Sequence, residues 1–197
     1  MGVPIRRAGA GDRDTAVELL HRAFASDAVS RWVFPDPDQL ERDHGTLMGA
    51  FFDMAIAEGG YVDLAEDGSA VAVWQSVPAG EHGDDDDPAG FRASIDPDNE
   101  RIEQIARLTG EAHPKDRAHE YLVVIGVDPD LHGKGLGTEL IAGVLARCDR
   151  DGLHAYLEAS SLRSRALYER LGFVFLGRTV DLPDGPHMWP MWREPRS

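Results

Sequence analysis

One stretch in the second half of the chain, residues 120–148, restricts the possible folds more than any other part of the sequence. It opens with an uninterrupted apolar run over residues 121–127, which is typical of a strand buried on both faces. Pro129 ends the strand, because proline cannot donate a hydrogen bond to a neighbouring strand. A glycine-rich segment then leads into apolar residues at helical spacing. The predicted order is therefore a buried strand, a glycine-rich turn and an amphipathic helix.

The glycine-rich segment at residues 132–137, His-Gly-Lys-Gly-Leu-Gly, is suited to binding an anion. Glycine allows positive φ and close approach of a ligand to the backbone. The first turn of a helix carries unpaired amides and partial positive charge, and together these features favour phosphate. The spacing differs from the dinucleotide fingerprint, and no Gly-Lys-Ser/Thr closes a Walker loop. A plain strand-to-helix turn without a ligand is the alternative.

Two segments resemble the GNAT acyltransferase superfamily. Residues 132–137 are similar to its pyrophosphate loop, Gln/Arg-x-x-Gly-x-Gly/Ala, with His132 where glutamine or arginine is usual. About thirty residues later, residues 167–173 (Leu-Tyr-Glu-Arg-Leu-Gly-Phe) are similar to its downstream segment, and Ser161 replaces the usual asparagine. Further likeness to the puromycin N-acetyltransferase-like branch lies in residues 70–74, 126–130, 157–160 and 182–186, and in Trp189 and Met191.

The resemblance implies an α+β (α/β/α) fold: a mixed, mostly antiparallel sheet with a central parallel strand pair, flanked by helices. It implies a single acyltransferase domain over residues 1–197. Residues 119–173 would form the acetyl-CoA side, and residues 1–118 with 174–197 would form most of the acceptor side.

The pattern of apolar residues also predicts the individual elements. Helices are expected over residues 12–25, 39–58, 97–109 and 162–171, and strands over residues 3–8, 60–64, 69–77, 153–159, 173–180 and 187–193. Asp67 and Gly68 signal a hairpin turn. Residues 27–38 are predicted to form a loop.

The function implied by the resemblance is acetyl-CoA-dependent acetylation of a primary or secondary amine by direct attack. The acceptor would be a small molecule such as an antibiotic or a metabolite. Acetylation of a protein lysine or N-terminus is an alternative, as is a CoA-binding sensor without catalysis. An aminoacyl-tRNA donor is a further alternative, but the strongly acidic composition argues against it.

The resemblance assigns roles to particular residues. The implied cofactor contacts are Ile125, Gly126, Val127, His132, Gly133, Lys134, Gly135, Leu136, Gly137, Thr138, Ser161, Ser164 and Tyr168, with the Val127 amide as oxyanion donor. Tyr168 would also be the general acid. Three residues compete as general base, namely His119, Glu120 and Glu158, and Glu120 is favoured. Trp32 and Phe34, on the predicted loop, are expected to line the acceptor pocket, with folding onto the core as the alternative.

Composition narrows the possible partners. Lys plus Arg is 20 and Asp plus Glu is 35, so the net charge of −15 disfavours nucleic acid and anionic membranes. No run approaches the roughly 20 apolar residues of a membrane span. The start of the chain lacks a signal-peptide core, so a cytoplasmic protein is expected, either a monomer or a homodimer.

The sequence predicts neither a reactive thiol nor a metal site. The single cysteine, Cys148, falls on the apolar face of a predicted helix and is expected to pack there. No cysteine pair or histidine spacing indicates a metal. The run Asp84–Asp87 is expected to be a solvated loop rather than a cation site, because it lacks the spacing of a calcium loop.

Overall fold

In the computed structural model, which describes residues 3–80 and 87–196, an eight-stranded mixed sheet runs through the molecule. Its strands are β1 (Ile5–Arg7), β2 (Tyr61–Ala65), β3 (Ala70–Val77), β4 (His119–Val127), β5 (His154–Ala159), β6 (Val174–Phe175), β7 (Val180–Asp181) and β8 (His187–Arg193). The helices are α1 (Arg13–Phe24), α2 (Ala28–Val33), α3 (Pro37–Ala57), α4 (Pro88–Ile95), α5 (Glu100–Ala112), α6 (Leu136–Asp151) and α7 (Leu162–Arg170). Short 3-10 turns precede α1 and α6.

The strand order is β1-β2-β3-β4-β5-β8-β6, with β7 paired to β8. Neighbouring strands are antiparallel except β4 and β5, which are parallel. The connection between β4 and β5 passes through α6, because parallel neighbours need a crossover. The predicted fold class, a mostly antiparallel sheet with a central parallel pair, is therefore confirmed.

The central parallel pair is joined over only three residues. His119, Glu120 and Tyr121 pair with residues 154–156, although β4 continues to Val127 and β5 to Ala159. Beyond this point the two strands diverge and leave an opening at the carboxyl end of the pair. The divergence begins directly after Tyr121.

A bulge in β4 decides which side chains face the opening. Val73 pairs with Val124 while Trp74 pairs with Leu122, so Val123 is an extra residue in the strand. Leu122 packs under α6, whereas Val124 packs in the core on the side of α1. Without the bulge these two residues, two positions apart, would lie on the same face. The irregularity in β4 therefore lies at Val123.

Two apolar cores lie on the two faces of the sheet. The first joins α1, α2, α3 and α5 to the central strands. The second lies beneath α6 and extends to Tyr168 and Phe173, and it contains the buried Cys148. Burial in this second core raises the pKa of the Cys148 thiol to about 11, so the thiol stays protonated at neutral pH. This agrees with the packing role expected for it.

The helical predictions need three corrections. Residues 28–33 of the predicted loop form α2, because Asp27 caps the helix by accepting hydrogen bonds from the Val29 and Ser30 amides. The helix expected at residues 97–109 is α5, which begins three residues later, after its cap Asn99. Helix α4 has no counterpart in the prediction. The strand expected at 173–180 is reduced to the short pieces β6 and β7.

The acidic run Asp84–Asp87 lies mostly outside the described residues, so the prediction of a solvated loop there remains a prediction. Asp87, which is described, caps α4 by accepting a hydrogen bond from the Gly90 amide. Within residues 3–80 and 87–196, no helix is long and apolar enough to cross a membrane.

Candidate active site

The opening between β4 and β5 continues into a cleft with a volume of about 1140 Å³. Residues from α1 to α5 form one side of this central cleft. Residues 121–125 of β4, Leu157 and Glu158 of β5, and Ser164 and Tyr168 of α7 complete the wall. The parted strands thus open into a chamber bounded by the N-terminal helices and α7.

The edge of β4 that faces the opening presents free backbone groups. The Asp128 amide donates to Ser69 O on the side of β3, and Gly126 pairs with Val71 in the same register. Because peptide groups alternate along a strand, Ile125 and Val127 direct theirs towards the opening. The Gly126 peptide group faces β3 instead. This corrects the expectation that all three residues present backbone to a ligand.

Gly126 has a packing reason to be glycine. A Cβ at this position would lie 3.1 Å from Leu20 Cδ2 and 3.3 Å from the Ala23 side chain. The element that approaches the Gly126 backbone closely is therefore α1. Gly126 lets α1 pack directly on β4, and α1 contributes Phe24 to the cleft wall.

The glycine-rich loop ends in a left-handed residue that starts α6. Gly133 and Gly135 have φ of +81° and +89°, a region that favours glycine. Gly135 is the N-cap, so the amides of Leu136, Gly137 and Thr138 begin the helix without partners inside it. Residues 132–135 are exposed. The loop therefore has the unpaired amides and positive helix end that an anion site needs.

The start of α6 adjoins the open edge of β4. A Cβ on Gly137 would lie 3.6 Å from Val127 Cγ2 and 3.9 Å from Ile125 Cδ1, so the two elements touch here. His132 Nε2 lies 3.1 Å from Val127 O and binds the loop to the end of the strand. The unusual histidine thus has a structural partner, and it occupies the Val127 carbonyl.

Helix α7 begins with a reciprocal cap formed by two serines. The Ser164 amide donates to Ser161 Oγ at 3.1 Å, and the Ser161 amide donates to Ser164 Oγ at 3.2 Å. Ser161 therefore caps α7 in this structure. The cap fixes a helix whose Tyr168 lines the cleft and packs edge-on against Phe173. Burial raises the pKa of the Tyr168 phenol, so the group keeps its proton at neutral pH.

Glu158 is the carboxylate that the structure places in the cleft. Its Oε2 accepts a hydrogen bond of 2.8 Å from Tyr121 Oη. Its Oε1 is buried and has no hydrogen-bond partner in the described part of the chain. Burial raises the pKa of Glu158 to about 7, and the hydroxyls of Tyr121 and Tyr156 oppose that rise. A carboxylate that titrates near neutrality can exchange protons with a bound molecule.

Glu120, the favoured base, does not line the cleft. It is only 5% exposed and accepts hydrogen bonds from Tyr61 Oη (2.7 Å) and Ser76 Oγ (3.1 Å). Arg147 of α6 lies 3.8 Å from its Oε1 and also contacts the Tyr61 hydroxyl. Glu120 is thus the centre of a polar network under α6. The prediction that it takes the acceptor's proton does not fit this placement.

His119 lies behind the cleft wall. It is 2% exposed, its Nε2 is 2.9 Å from His113 Nε2, and its Nδ1 is 2.8 Å from Arg117 O. His113, in the turn after α5, does line the cleft. His119 therefore stands one residue away from the cleft, with His113 in between.

Trp32 and Phe34 take the alternative placement, folded onto the core, so their predicted role in the acceptor pocket does not fit the structure. Both side chains are buried in the core, with exposed fractions of 6% and 1%, and neither lines the cleft. Trp32 Nε1 donates a hydrogen bond of 2.8 Å to Pro183 O, and the Arg101 guanidinium lies over its ring. The aromatic pair therefore holds α2 against α5 and the turn before β8.

Other side chains form the wall that those aromatics were expected to form. The apolar part comes from Val29, Val33, Met48, Phe51, Phe91 and Ile105. A hydrogen bond of 2.9 Å from Ser160 Oγ to Asp27 Oδ2 joins the start of α2 to the end of β5. These contacts depend on α2 and α4, two helices that the pattern of apolar residues does not predict. The sequence does contain a sign of the position of Glu158, because it is a carboxylate within the largely apolar strand β5.

In the described ranges, no three His, Cys, Asp or Glu side chains are grouped so that they could hold a metal ion. The cleft brings together an open strand edge, a carboxylate with a raised pKa and a protonated tyrosine, and the same strand edge contacts the N-terminus of α6. Such a set can bind an extended ligand with an anionic part and can move protons at its reactive end.

Comparison with known proteins gives consistent matches. The model of the Acetyltransferase (GNAT) family matches residues 20–173. A crystal structure from Corynebacterium glutamicum, described as histone acetyltransferase HPA2 and related acetyltransferase, is 28% identical. It has a TM-score of 0.74, and the match covers 100% of this chain and 98% of that one. A PaiA N-acetyltransferase from Thermoplasma acidophilum, solved in complex with coenzyme A, shares the fold at 11% identity with a TM-score of 0.56, covering 98% of this chain and 99% of that one.

Among curated proteins, a mycothiol acetyltransferase from Salinispora arenicola is 40% identical over 92 residues. The match covers 45% of this chain and 30% of that protein. The chain spans less than a third of the length of the curated relatives it matches.

Proposed function

Because the chain belongs to the acetyltransferase (GNAT) family, we propose that it transfers an acetyl group from acetyl-CoA to an amine of a small molecule by direct attack. One observation carries the proposal. The open edge of β4 connects two features, because Ile125 and Val127 contact the start of α6 while residues 121–125 line the cleft together with Glu158 and Tyr168. The relatives named for mycothiol support a small-molecule acceptor. The finer likeness to the puromycin-type branch stays a prediction.

Acetyl-CoA would be held by two neighbouring parts of the chain. The amides of Leu136, Gly137 and Thr138, with the Gly133 and Gly135 backbone, suit its pyrophosphate. The backbone groups of Ile125, which face the opening, suit the amides of its pantetheine arm. The fold neighbour solved with coenzyme A supports this assignment. In this proposal residues 119–173 bind the cofactor, while α1 to α5 and β8 form the acceptor side.

Two protons must move in the reaction, and the cleft offers one group for each. An amine arrives mostly as its ammonium form and must lose a proton before it can attack the thioester. Glu158, which lines the cleft and has a pKa of about 7, accepts this proton. Tyr168 keeps its proton at neutral pH and donates it to the departing sulfur. The amine's second proton then restores Tyr168, so the balance is ammonium plus thioester giving amide, thiol and one free proton.

The Val127 amide is the proposed oxyanion donor, because it faces the opening at the end of β4. His132 binds the carbonyl of the same residue and so holds that segment in place. A preorganised amide of this kind stabilises the charge that develops on the acetyl oxygen.

Acetylation of a peptide is the second candidate, because the relative from Corynebacterium glutamicum is described as a histone acetyltransferase and related acetyltransferase. A net charge of −15 also suits a basic peptide.

The experiment combines acetyl-CoA titration by calorimetry with a thiol-release assay. The assay compares a panel of primary amines with lysine-rich peptides. Release of CoA with small amines supports the proposal, and release with peptides alone supports the second candidate. Absence of acetyl-CoA binding at millimolar concentration would overturn both.

A further inference from the structure

A chain of polar side chains crosses the apolar core beside the central cleft, and the proposed reaction does not use it. Ser30 of α2 lines the cleft, and its Oγ lies 3.0 Å from His44 Nε2. His44 Nδ1 lies 3.1 Å from His21 Nδ1. The His44 side chain is fully buried, and the Phe34 ring packs edge-on against it. Burying a polar side chain costs free energy unless it forms hydrogen bonds. The two ring nitrogens of His44 meet this need by pairing with Ser30 and His21.

The positions of the hydrogens in this series of hydrogen bonds follow from the group at its far end, Glu41. The two Nδ1 atoms form one hydrogen bond, so one donates and the other accepts. Glu41 Oε2 lies 3.7 Å from His21 Nε2, and its negative charge favours a hydrogen on that nitrogen. With its hydrogen on Nε2, His21 accepts at Nδ1, and His44 Nδ1 donates. Burial, with a smaller effect from His21, lowers the pKa of His44 to about 4, so His44 carries one hydrogen only.

With its hydrogen on Nδ1, His44 offers a lone pair at Nε2. The Ser30 hydroxyl therefore donates to His44, and its oxygen keeps its lone pairs for a further partner. Hydrogen bonds that run in one direction polarise one another, and this chain runs from Ser30 towards the charge of Glu41. The Ser30 oxygen is thus prepared to accept a hydrogen bond, and a positively charged N–H is its strongest partner.

The surroundings of Ser30 indicate the rest of the ligand. Val33, Leu47, Met48 and Phe51, from α2 and α3, line the same side of the cleft. A ligand that reaches Ser30 therefore lies against apolar side chains, which favour an aromatic or aliphatic body over a sugar or a polar peptide.

We propose that Ser30 binds the acceptor by taking a hydrogen bond from its amino group, that the acceptor is an amine with an apolar body, and that His44 and His21 position the Ser30 hydroxyl. This inference rests on the proposed function, since it concerns the acceptor end of the same cleft. It assigns Ser30 to binding, and it assigns the two histidines to an indirect role.

The test uses benzylamine, phenethylamine and hexylamine as probes, titrated into the free protein and into its complex with CoA. Ser30→Ala should weaken binding of these amines about 10- to 100-fold, the usual effect of losing a hydrogen bond to a charged group. Acetyl-CoA affinity should not change. Ser94→Ala is the matched control, because Ser94 also lines the cleft but its hydroxyl donates to Phe91 O of its own helix. The control should bind the amines normally.

The histidines are tested by a double-mutant comparison. His44→Leu should weaken amine binding, and the Ser30→Ala/His44→Leu protein should bind no more weakly than Ser30→Ala alone, because His44 acts through Ser30. A purely structural His44 would instead give additive losses and would lower acetyl-CoA affinity together with the melting temperature.

Two results overturn the inference. One is normal amine binding by Ser30→Ala, and the other is the absence of binding by all three amines to both forms of the unaltered protein. Failure of acetyl-CoA to bind would count against the proposed function instead. In that case the role of Ser30 is still tested by comparing amine binding to the free unaltered protein with amine binding to free Ser30→Ala.

Discussion

Tyr121 of β4 donates a hydrogen bond of 2.8 Å to Glu158 of β5 at the point where the two parallel strands part. Tyr121 and Tyr156 are the last residue pair that joins the two strands. Glu158 lies two residues beyond Tyr156 in β5. The contact therefore connects the diverging strands and holds a carboxylate at the inner end of the cleft. The fold that opens the cleft also sets the environment of its proposed base.

Replacing Glu158 by glutamine should lower turnover by about 10² to 10⁴, the usual contribution of a general base. In the unaltered protein the base acts only when it is deprotonated, so activity should rise with pH through about 7. Glu158→Gln should lose this rise and retain acetyl-CoA affinity. A pH profile of kcat/KM tests the assignment, and a profile unchanged in the variant would exclude Glu158 as the base.

Tyr121→Phe is the companion variant for that profile. The Tyr121 hydrogen bond lowers the pKa of Glu158, so its removal should raise that pKa and move the rise in activity to higher pH. The ring remains in place, which separates the electrostatic effect from packing.

Glu158 should also make stability depend on pH. Its pKa is raised from an ordinary 4.5 to about 7 on folding, so the native state binds the proton more tightly than the unfolded state does. Stability from this group is complete below about pH 4.5 and is lost as the pH rises through 7, by on the order of 3 kcal/mol. Urea unfolding at pH 5 and pH 8 should show a smaller decrease in Glu158→Gln than in the unaltered protein. An equal decrease in both would mean that Glu158 is solvated.

Tyr168→Phe keeps the ring against Phe173 and removes one proton donor. We expect turnover to fall by about 10² to 10⁴, because the departing thiolate loses its general acid. Single-turnover kinetics and an acetyl-CoA titration should show slow chemistry with unchanged cofactor affinity. Near-normal turnover would assign Tyr168 to packing alone.

Gly135→Val should abolish the increase in melting temperature that acetyl-CoA gives the unaltered protein by mass action. Gly135 has φ of +89°, which a β-branched residue adopts only with strain, so the amides that start α6 would move. Gly143→Ala is the control in the same helix, because nothing lies within 4 Å of a Cβ there. The control should keep the shift and gain roughly 0.5–1 kcal/mol of helix stability. A normal shift in Gly135→Val would place the pyrophosphate elsewhere.

Trp32→Ala should destabilise the protein by about 3–5 kcal/mol, as expected for a buried aromatic side chain. The variant loses the hydrogen bond to Pro183 O and leaves a cavity between α2 and the turn before β8. Chemical denaturation measures the loss. A variant of normal stability with a raised acceptor KM would return Trp32 to the acceptor pocket.

Local sequence patterns determined the part of the molecule that is proposed to bind the cofactor. A buried strand, a glycine turn and an amphipathic helix are adjacent in the chain, so residues 121–148 form these three elements as predicted, apart from the bulge at Val123. The same holds for the hairpin of β2 and β3, where Gly68 adopts the expected positive φ of +72°. These elements depend on interactions between residues close in sequence.

The tertiary structure decided which side chains meet in the cleft. One extra residue at Val123 changes the face of β4, and periodicity cannot locate a bulge that only the pairing with β3 defines. Glu120 and Glu158 are both carboxylates in apolar strands. Their difference arises because α6 covers Glu120 with Arg147, whereas the parting of β4 and β5 leaves Glu158 in the cleft. The burial of Trp32 also depends on tertiary structure, because its hydrogen-bond partner Pro183 lies 151 residues away in the chain.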